Sequence, residues 1–139
     1  MSETKQSKFQ YQTPRILRCD FRSFPECEAK EWTININHTK TIKRESESEA
    51  DVTLFVAIRS DEEATPFSLE FEITSHFKWE ELEEPIISSL LNRNAPSLLL
   101  GFARPVLAML TNSSGMPPYN IPMLDFSQDP MLDVSVKLT

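Results

Sequence analysis

Four side chains in this sequence could bind a metal ion, and their spacing is unlike that of metal ligands. Cys19, Cys27, His38 and His76 are the only cysteines and histidines, and thiolate and imidazole groups are ligands that zinc prefers. Zinc sites usually contain a pair of ligands roughly two to four residues apart, whereas the nearest pair here is Cys19 and Cys27. We therefore expect no metal site, reduced cysteines, and Cys19 as a small core residue.

Acid–base chemistry also lacks support. Carboxylate pairs such as Glu70 with Glu72 or Glu80 with Glu84 could move protons, but charged residues in this pattern usually form a solvated face. The chain has only two glycines, so it has no glycine-rich loop for a phosphate group. The sequence predicts a protein that is not an enzyme and has no cofactor.

Composition narrows the class of protein further. The 139 residues carry a net charge of −7, which disfavours nucleic-acid binding because that requires a basic surface. No apolar run is long enough to span a membrane and no secretory signal begins the chain, so we expect a cytoplasmic protein. The length fits one domain over residues 1–139, with residues 1–8 flexible.

Four segments of the first half alternate apolar and polar residues with the period of two that is typical of half-buried strands. They are 9–21, 32–42, 52–58 and 67–73, and the polar residues 43–51 are expected to form a turn. In the first segment the apolar residues, including Leu17, Cys19 and Phe21, fall on odd positions. Pro14 cannot donate to a strand ladder, so this strand is expected at a sheet edge.

The second half has helical periodicity. A first helix is predicted to end near Asn94, and a second to run from Ala95 to the residues before Gly115. Pro105 removes a backbone hydrogen bond, so we expect a kink or a new helix start there. The three prolines of segment 116–126 predict an ordered loop without regular structure, and residues 132–138 alternate like another strand.

Two stretches give this order of elements a likeness to a known family. The second helix with its end, LLLGFARPVLAMLTNSSG, and the loop MPPYNIPMLDF resemble the SecB protein-export chaperone family. The opening YQTPRILRCDF is also similar to that family's first strand, and Trp32 matches a tryptophan at the start of its second. The resemblance covers residues 9–126 and is closest to uncharacterised SecB-like proteins of Gram-positive bacteria.

The resemblance implies an α+β fold, with a four-stranded antiparallel sheet and two helices packed on one face. The alternation of residues 132–138 would add a C-terminal strand. SecB-like proteins are ATP-independent holding chaperones that bind extended apolar segments of unfolded or precursor polypeptides during protein export. They assemble as homodimers or homotetramers, which we expect here too.

The resemblance also implies site residues. The client-binding groove lies between the sheet, the second helix and the crossover loop, and its expected lining is Ile34, Ile36, Met116, Tyr119, Ile121 and Met123. The motor SecA docks on an acidic sheet face in typical members, where Asp20 and Glu70 are the matching residues. Both lie on even positions, opposite in parity to the apolar residues, and should point to solvent.

Several positions depart from the family pattern. Phe24 and Ser68 replace an acid and a leucine of the docking face, so this sequence has only half of the residues on which SecA docks in typical members. His38 and Lys40 stand at groove positions that are apolar in typical members. The alternative function is therefore an interaction or adaptor module with a SecB fold that binds one specific protein partner. A third interpretation, an enzyme or small-ligand carrier, lacks a converging catalytic set.

Overall fold

The computed structural model describes residues 8–24, 31–59, 66–126 and 131–137. Its strands form one antiparallel sheet and are β1 (Phe9–Tyr11), β2 (Arg15–Ser23), β3 (Glu31–Arg44), β4 (Glu49–Arg59), β5 (Phe67–Trp79) and β6 (Met131–Lys137). Since β1 and β2 both pair with the same side of the sheet at β5, the strands fill five positions in the order β1/β2, β5, β4, β3, β6. The α+β class is confirmed, and the sheet has five positions rather than four because β6 pairs with β3. β6 is the additional C-terminal strand that the alternation of residues 132–138 predicted.

The first predicted strand lies at the sheet edge, as expected from Pro14, but it is divided into β1 and β2. Pro14 lies between β1 and β2. Its missing N–H therefore removes no hydrogen bond between paired strands. Within β2, Ile16 pairs with Ile73 and Arg18 with Glu72, so Leu17 is the extra residue of a bulge. The expected inward position of Leu17 is therefore wrong, because the inserted residue shifts the alternation by one.

The β3–β4 hairpin is longer than its polar sequence indicates. β3 ends at Arg44 and β4 begins at Glu49, which leaves residues 45–48 as the turn instead of the expected 43–51. The Arg44 guanidinium lies 5.3 Å from the Trp79 ring centroid and donates to a Glu84 carboxylate oxygen at 2.6 Å. These contacts with Trp79 and Glu84, which lie outside the hairpin, stabilise Arg44 in the strand although it is charged.

A single helical segment replaces the two separate helices of the prediction. It consists of α1 (Glu84–Ser89), a π-helical turn (Leu90–Asn94) and α2 (Ala95–Ser113), with no break between them. The helix also continues through Pro105, so the expected new helix start there is wrong. Pro105 and Gly101 are both exposed, and the carbonyl that loses its N–H partner can therefore face water.

The helical segment packs on one face of the sheet and encloses the core. Buried residues alternate along β4 and β5 from Val52 to Ile58 and from Phe67 to Trp79, and α2 adds Leu99, Leu100, Ala103 and Leu107. The outward positions of β5 hold serine, glutamate and other polar residues, and those of β4 are polar except at Phe55 and Ala57. In the part of the chain that the structure describes, no helix is long and apolar enough to cross a membrane.

Candidate functional site

Residues 116–126, here named the crossover segment, follow α2 and have no regular secondary structure, as the prolines predict. The segment is graded in exposure. Ile121 and Phe126 are buried in the core, whereas Met116 and Tyr119 are half-buried against it. Met123 has 89 % of its surface exposed. The segment therefore covers the core with some side chains and presents at least one large apolar side chain to solvent.

The two strand residues that were expected to line the groove lie deep in the protein. Ile34 and Ile36 of β3 are fully buried, in the same core cluster as Ile121 and Phe126. The structure therefore brings five of the six expected client-binding residues into or against one core, and Met123 stands apart from them. The floor of the expected groove is closed in this state.

The start of the crossover segment is held by the end of α2. The Tyr119 N–H donates to Thr111 Oγ1 at 2.9 Å, and the Met116 N–H donates to the Thr111 carbonyl at 3.1 Å. Thr111 is fully buried and its hydroxyl donates to the Leu107 carbonyl at 3.0 Å. One threonine thus satisfies two backbone donors that no helix or strand serves.

The middle and the end of the segment are held by two cations. The Arg104 guanidinium donates to the Ile121 carbonyl at 2.8 Å, and Lys40 Nζ donates to the Phe126 carbonyl at 2.9 Å. Lys40 Nζ also donates to the Asn92 carbonyl in the π turn at 2.7 Å. That carbonyl lacks an α-helical partner because Pro96, four residues on, has no N–H. Lys40 therefore joins β3, the π turn and the crossover segment at one point.

Burial changes the ionisation of both a groove residue and an anchor. Burial raises the pKa of Tyr119 to about 12, and its hydroxyl makes no hydrogen bond to any described residue. Burial also lowers the pKa of Lys40, and the nearby positive charge of Arg93 lowers it further. Both shifts follow from the loss of water around a group whose charged form needs it.

The two predicted docking acids lie side by side on the other face of the sheet, and arginines bind both of them. Asp20 of β2 pairs in register with Glu70 of β5. Arg18 Nε donates to Asp20 at 2.7 Å, while the guanidinium groups of Arg18 and Arg59 both donate to Glu70. The Asp20 hydrogen bond, and then Glu70, raise the pKa of Arg18. The expected acidic surface is thus a cluster of acids and arginines.

The histidines lie on opposite faces of the sheet and cannot share a metal ion. His38 is buried on the helix side, with its ring edge-on to Phe126 at 4.8 Å between centroids. His76 lies on the other face, where Nδ1 contacts Asp51 at 2.7 Å and Nε2 contacts Glu49 at 3.0 Å. In residues 8–24, 31–59, 66–126 and 131–137, no three His, Cys, Asp or Glu side chains come together as a metal site would require.

The thiols fit the sequence-based interpretation only in part. Cys19 pairs with Phe71 on the helix side of the sheet, but it is exposed because it lies in the edge strand. Burial of the thiol, and then the charge of Asp20, raise the pKa of Cys19, which makes it a poor nucleophile. Cys27 lies outside the described residues.

Sequence reasoning did not identify the three residues that anchor the crossover segment: Lys40, Arg104 and Thr111. Arg104 belongs to the stretch that carries the family resemblance, but its role is visible only once Ile121 O is placed. For Lys40 a signal exists, because it falls on an inward position of β3 between His38 and Ile42. A lysine at an inward position needs a buried partner.

Comparisons with known proteins agree with the family resemblance and with the fold. The family model described as preprotein translocase subunit SecB matches residues 19–129. A protein-export protein SecB of Anaplasma marginale is 30 % identical over 122 residues, which cover 82 % of this chain and 68 % of that protein. Its counterpart in Acidithiobacillus ferrooxidans is 28 % identical over 105 residues, with 75 % and 70 % covered.

A solved structure has a similar fold. It is a SecB-like chaperone of Mycobacterium tuberculosis in complex with a peptide from the HigA1 antitoxin, and it superposes with a TM-score of 0.67. The sequence identity is 17 %, and the match covers 84 % of this chain and 91 % of the other. At that identity the likeness concerns the fold alone.

Proposed function

Because the chain belongs to the SecB family, we propose that it is an ATP-independent holding chaperone that binds extended apolar segments of non-native polypeptides. The curated relatives are named as protein-export proteins, which supports a role with precursor chains destined for export. The fold neighbour is a SecB-like chaperone bound to a peptide, which supports a polypeptide as the ligand.

The observation that carries the proposal is the way the crossover segment presents Met123. Its backbone is fixed on both sides of this residue, by Arg104 at Ile121 and by Lys40 at Phe126, yet the Met123 side chain is 89 % exposed. An exposed, flexible thioether on a fixed backbone is suited to varied apolar partners. Met116 and Tyr119 of the same segment are half-buried against the core and leave part of their surface accessible.

The test is suppression of aggregation of several unrelated, chemically reduced proteins in the absence of ATP. We expect the double substitution of Tyr119→Ser and Met123→Ser to abolish the suppression. Met123→Ser alone should weaken it while leaving the urea midpoint unchanged, because a side chain this exposed contributes little to folding. The matched control is Met109→Ser, since Met109 is 59 % exposed on α2, outside the segment.

Two outcomes contradict the proposal. Failure of the unaltered protein to hold any of the reduced proteins would exclude a general holding function and would favour a module for one partner. Equal loss of suppression in Met109→Ser and Met123→Ser would separate the function from the crossover segment. Docking of SecA through Asp20 and Glu70 stays a prediction, and in the structure Arg18 pairs with both acids and Arg59 pairs with Glu70.

A further inference from the structure

The closed state of the site requires an explanation if clients bind there. Ile34 and Ile36 have no exposed surface, and Ile121 has 3 %. An apolar segment of a client cannot contact these side chains while the crossover segment lies over the core. Of the six expected client-binding residues, only Met123 and parts of Met116 and Tyr119 are accessible. Full use of the site therefore requires displacement of the segment.

The contacts that resist this displacement reach the main chain of the segment. Thr111 binds the Tyr119 N–H, Arg104 binds the carbonyls of Ile121 and Pro122, and Lys40 binds the Phe126 carbonyl. Thr111 and Arg104 belong to the helix that precedes the segment. Lys40 comes from β3, so it ties the far end of the segment to the sheet that forms the floor.

Lys40 is an unusual choice for that position. Its neighbours on the same face of β3 include Ile36 and Ile42, and its partner across the sheet is Leu54. Half-burying an ammonium group there is unfavourable, as its lowered pKa shows. An apolar residue would pack better but could not bind two carbonyls. A lysine can also exchange those carbonyls for water by extending its long side chain, so the contact is reversible.

We propose that Lys40 is a positioning residue that holds the crossover segment over the floor of the client site, and that its release exposes Ile34, Ile36 and Ile121 to the client. This inference rests on the proposed chaperone function. Molecules in which the crossover segment covers the floor cannot bind a client there, so the apparent affinity falls as the fraction of such molecules rises. The Lys40 contact sets this fraction.

The experiment compares Lys40→Met with Lys43→Met. Methionine is an unbranched side chain one atom shorter than lysine, and it removes the donor. Lys43 lies on the same strand with 78 % of its side chain exposed, so it is a matched control. In Lys40→Met we expect hydrogen exchange of residues 116–126 to become about tenfold faster and binding of reduced, carboxymethylated α-lactalbumin to become about tenfold tighter. Lys43→Met should change neither.

The direction of the change separates this role from a merely structural one. A structural lysine would reduce stability and client binding together, whereas a positioning lysine reduces stability and increases binding. Lys40→Arg should restore the exchange rate of the original protein, because a guanidinium can donate to the same carbonyls. If Lys40→Met does not fold, Thr111→Val removes the acceptor of the Tyr119 N–H with little change of volume and should act in the same direction.

The outcomes also distinguish the two proposals. If the unaltered protein binds the α-lactalbumin and the variants bind it equally or more weakly, Lys40 does not control access and this inference is wrong, while the chaperone function stands. If the unaltered protein binds no unfolded chain, the proposed function fails and the inference fails with it. Faster exchange together with tighter binding supports both.

Discussion

Strands β2 and β5 lie side by side and, apart from the bulge at Leu17, both alternate apolar and polar residues, but their burial differs greatly. All seven helix-side residues of β5, from Phe67 to Trp79, are at most 5 % exposed. In β2, Ile16 is 45 % exposed, Cys19 is exposed and Phe21 is half-buried. The helical segment reaches β4 and β5, and β2 lies at the sheet edge. Alternation thus identifies the side of a strand, whereas the neighbouring elements decide whether that side is covered.

The largest expected effect tests the difference in burial between β2 and β5 at one cross-strand pair. Phe71 of β5 and Cys19 of β2 are register partners on the same side of the sheet. Phe71→Ala should lower the free energy of unfolding by about 3–5 kcal/mol, because Phe71 is 2 % exposed and its loss leaves a cavity. Cys19→Ala should lower it by less than about 1 kcal/mol. Urea denaturation measures both, and similar values would show that β2 is as well packed as β5.

A second expected effect concerns what covers β2 in solution. Ile16, Leu17 and Tyr11 are all more than 40 % exposed, and apolar side chains gathered at a sheet edge are typical of association surfaces. We predict a dimer or tetramer, and we expect Ile16→Asp to weaken association at least about tenfold, because a buried unpaired charge is unfavourable.

Light scattering at micromolar concentration tests this second prediction. Thr41→Asp is the control, since Thr41 is exposed on the opposite face of β3. A mass of 16.0 kDa for the unaltered protein, that of one chain, would show that β2 stays uncovered. An unchanged mass in Ile16→Asp would show that the association surface lies elsewhere.

A smaller effect is expected on the outward face that the two strands share. Glu70 accepts hydrogen bonds from two arginines, and its side chain is 26 % exposed. Glu70→Gln should lower stability by about 1 kcal/mol at low ionic strength and by less in high salt, because exposed ion pairs are screened. Glu72→Gln, at a neighbouring outward position, should have almost no effect. Equal effects of both substitutions would argue against the arginine pairing.

The smallest effect depends on pH. Hydrogen bonds to Glu49, and then to Asp51, raise the pKa of His76, while the His76 hydrogen bond is the main cause that lowers the pKa of Asp51. A histidine whose pKa is raised on folding stabilises the protein fully below its unfolded pKa of about 6.5, and this contribution is lost as pH rises through the folded value. The Asp51 contribution is present above its unfolded pKa of about 4 and is lost in acid.

The corresponding variant is His76→Asn. Its stability deficit should be largest between about pH 5 and 6.5, should stay below about 1 kcal/mol because the pair is solvent-accessible, and should shrink toward pH 9. Thermal denaturation at several pH values measures it. A deficit that grows with pH would show that His76 is neutral in the folded protein.

Much of the fold could be predicted from the sequence, because the positions of the strands follow from the local alternation of apolar and polar residues. The strands at 32–42, 52–58 and 67–73 are present and longer than predicted, and the edge position of the first strand follows from Pro14 alone. The bulge at Leu17 and the π turn at Leu90–Asn94 were missed. Each is a local adjustment to a neighbouring element, and neither leaves a mark in the spacing of apolar residues.

The candidate site was less predictable than the fold, because the burial of its residues depends on contacts between distant parts of the chain. The family resemblance implied client-binding side chains in the crossover segment, and the structure leaves one of them, Met123, exposed. Which of the other residues would be buried depended on long-range contacts, such as that between Tyr119 and Phe67 at 5.7 Å. The ion pairs of Glu70 likewise depend on Arg18 and Arg59, which belong to two other strands.

The anchoring of the crossover segment has a consequence for how sequences of this type can diverge. Thr111, Arg104 and Lys40 bind N–H and carbonyl groups, and every residue carries the carbonyl whatever its side chain. Mutations at positions 119, 121 and 123 can therefore change the shape and polarity offered to a ligand while the anchoring contacts persist. Ligand preference and attachment of the segment are thus encoded by different residues. Ligand preference can therefore change during evolution while selection preserves the attachment.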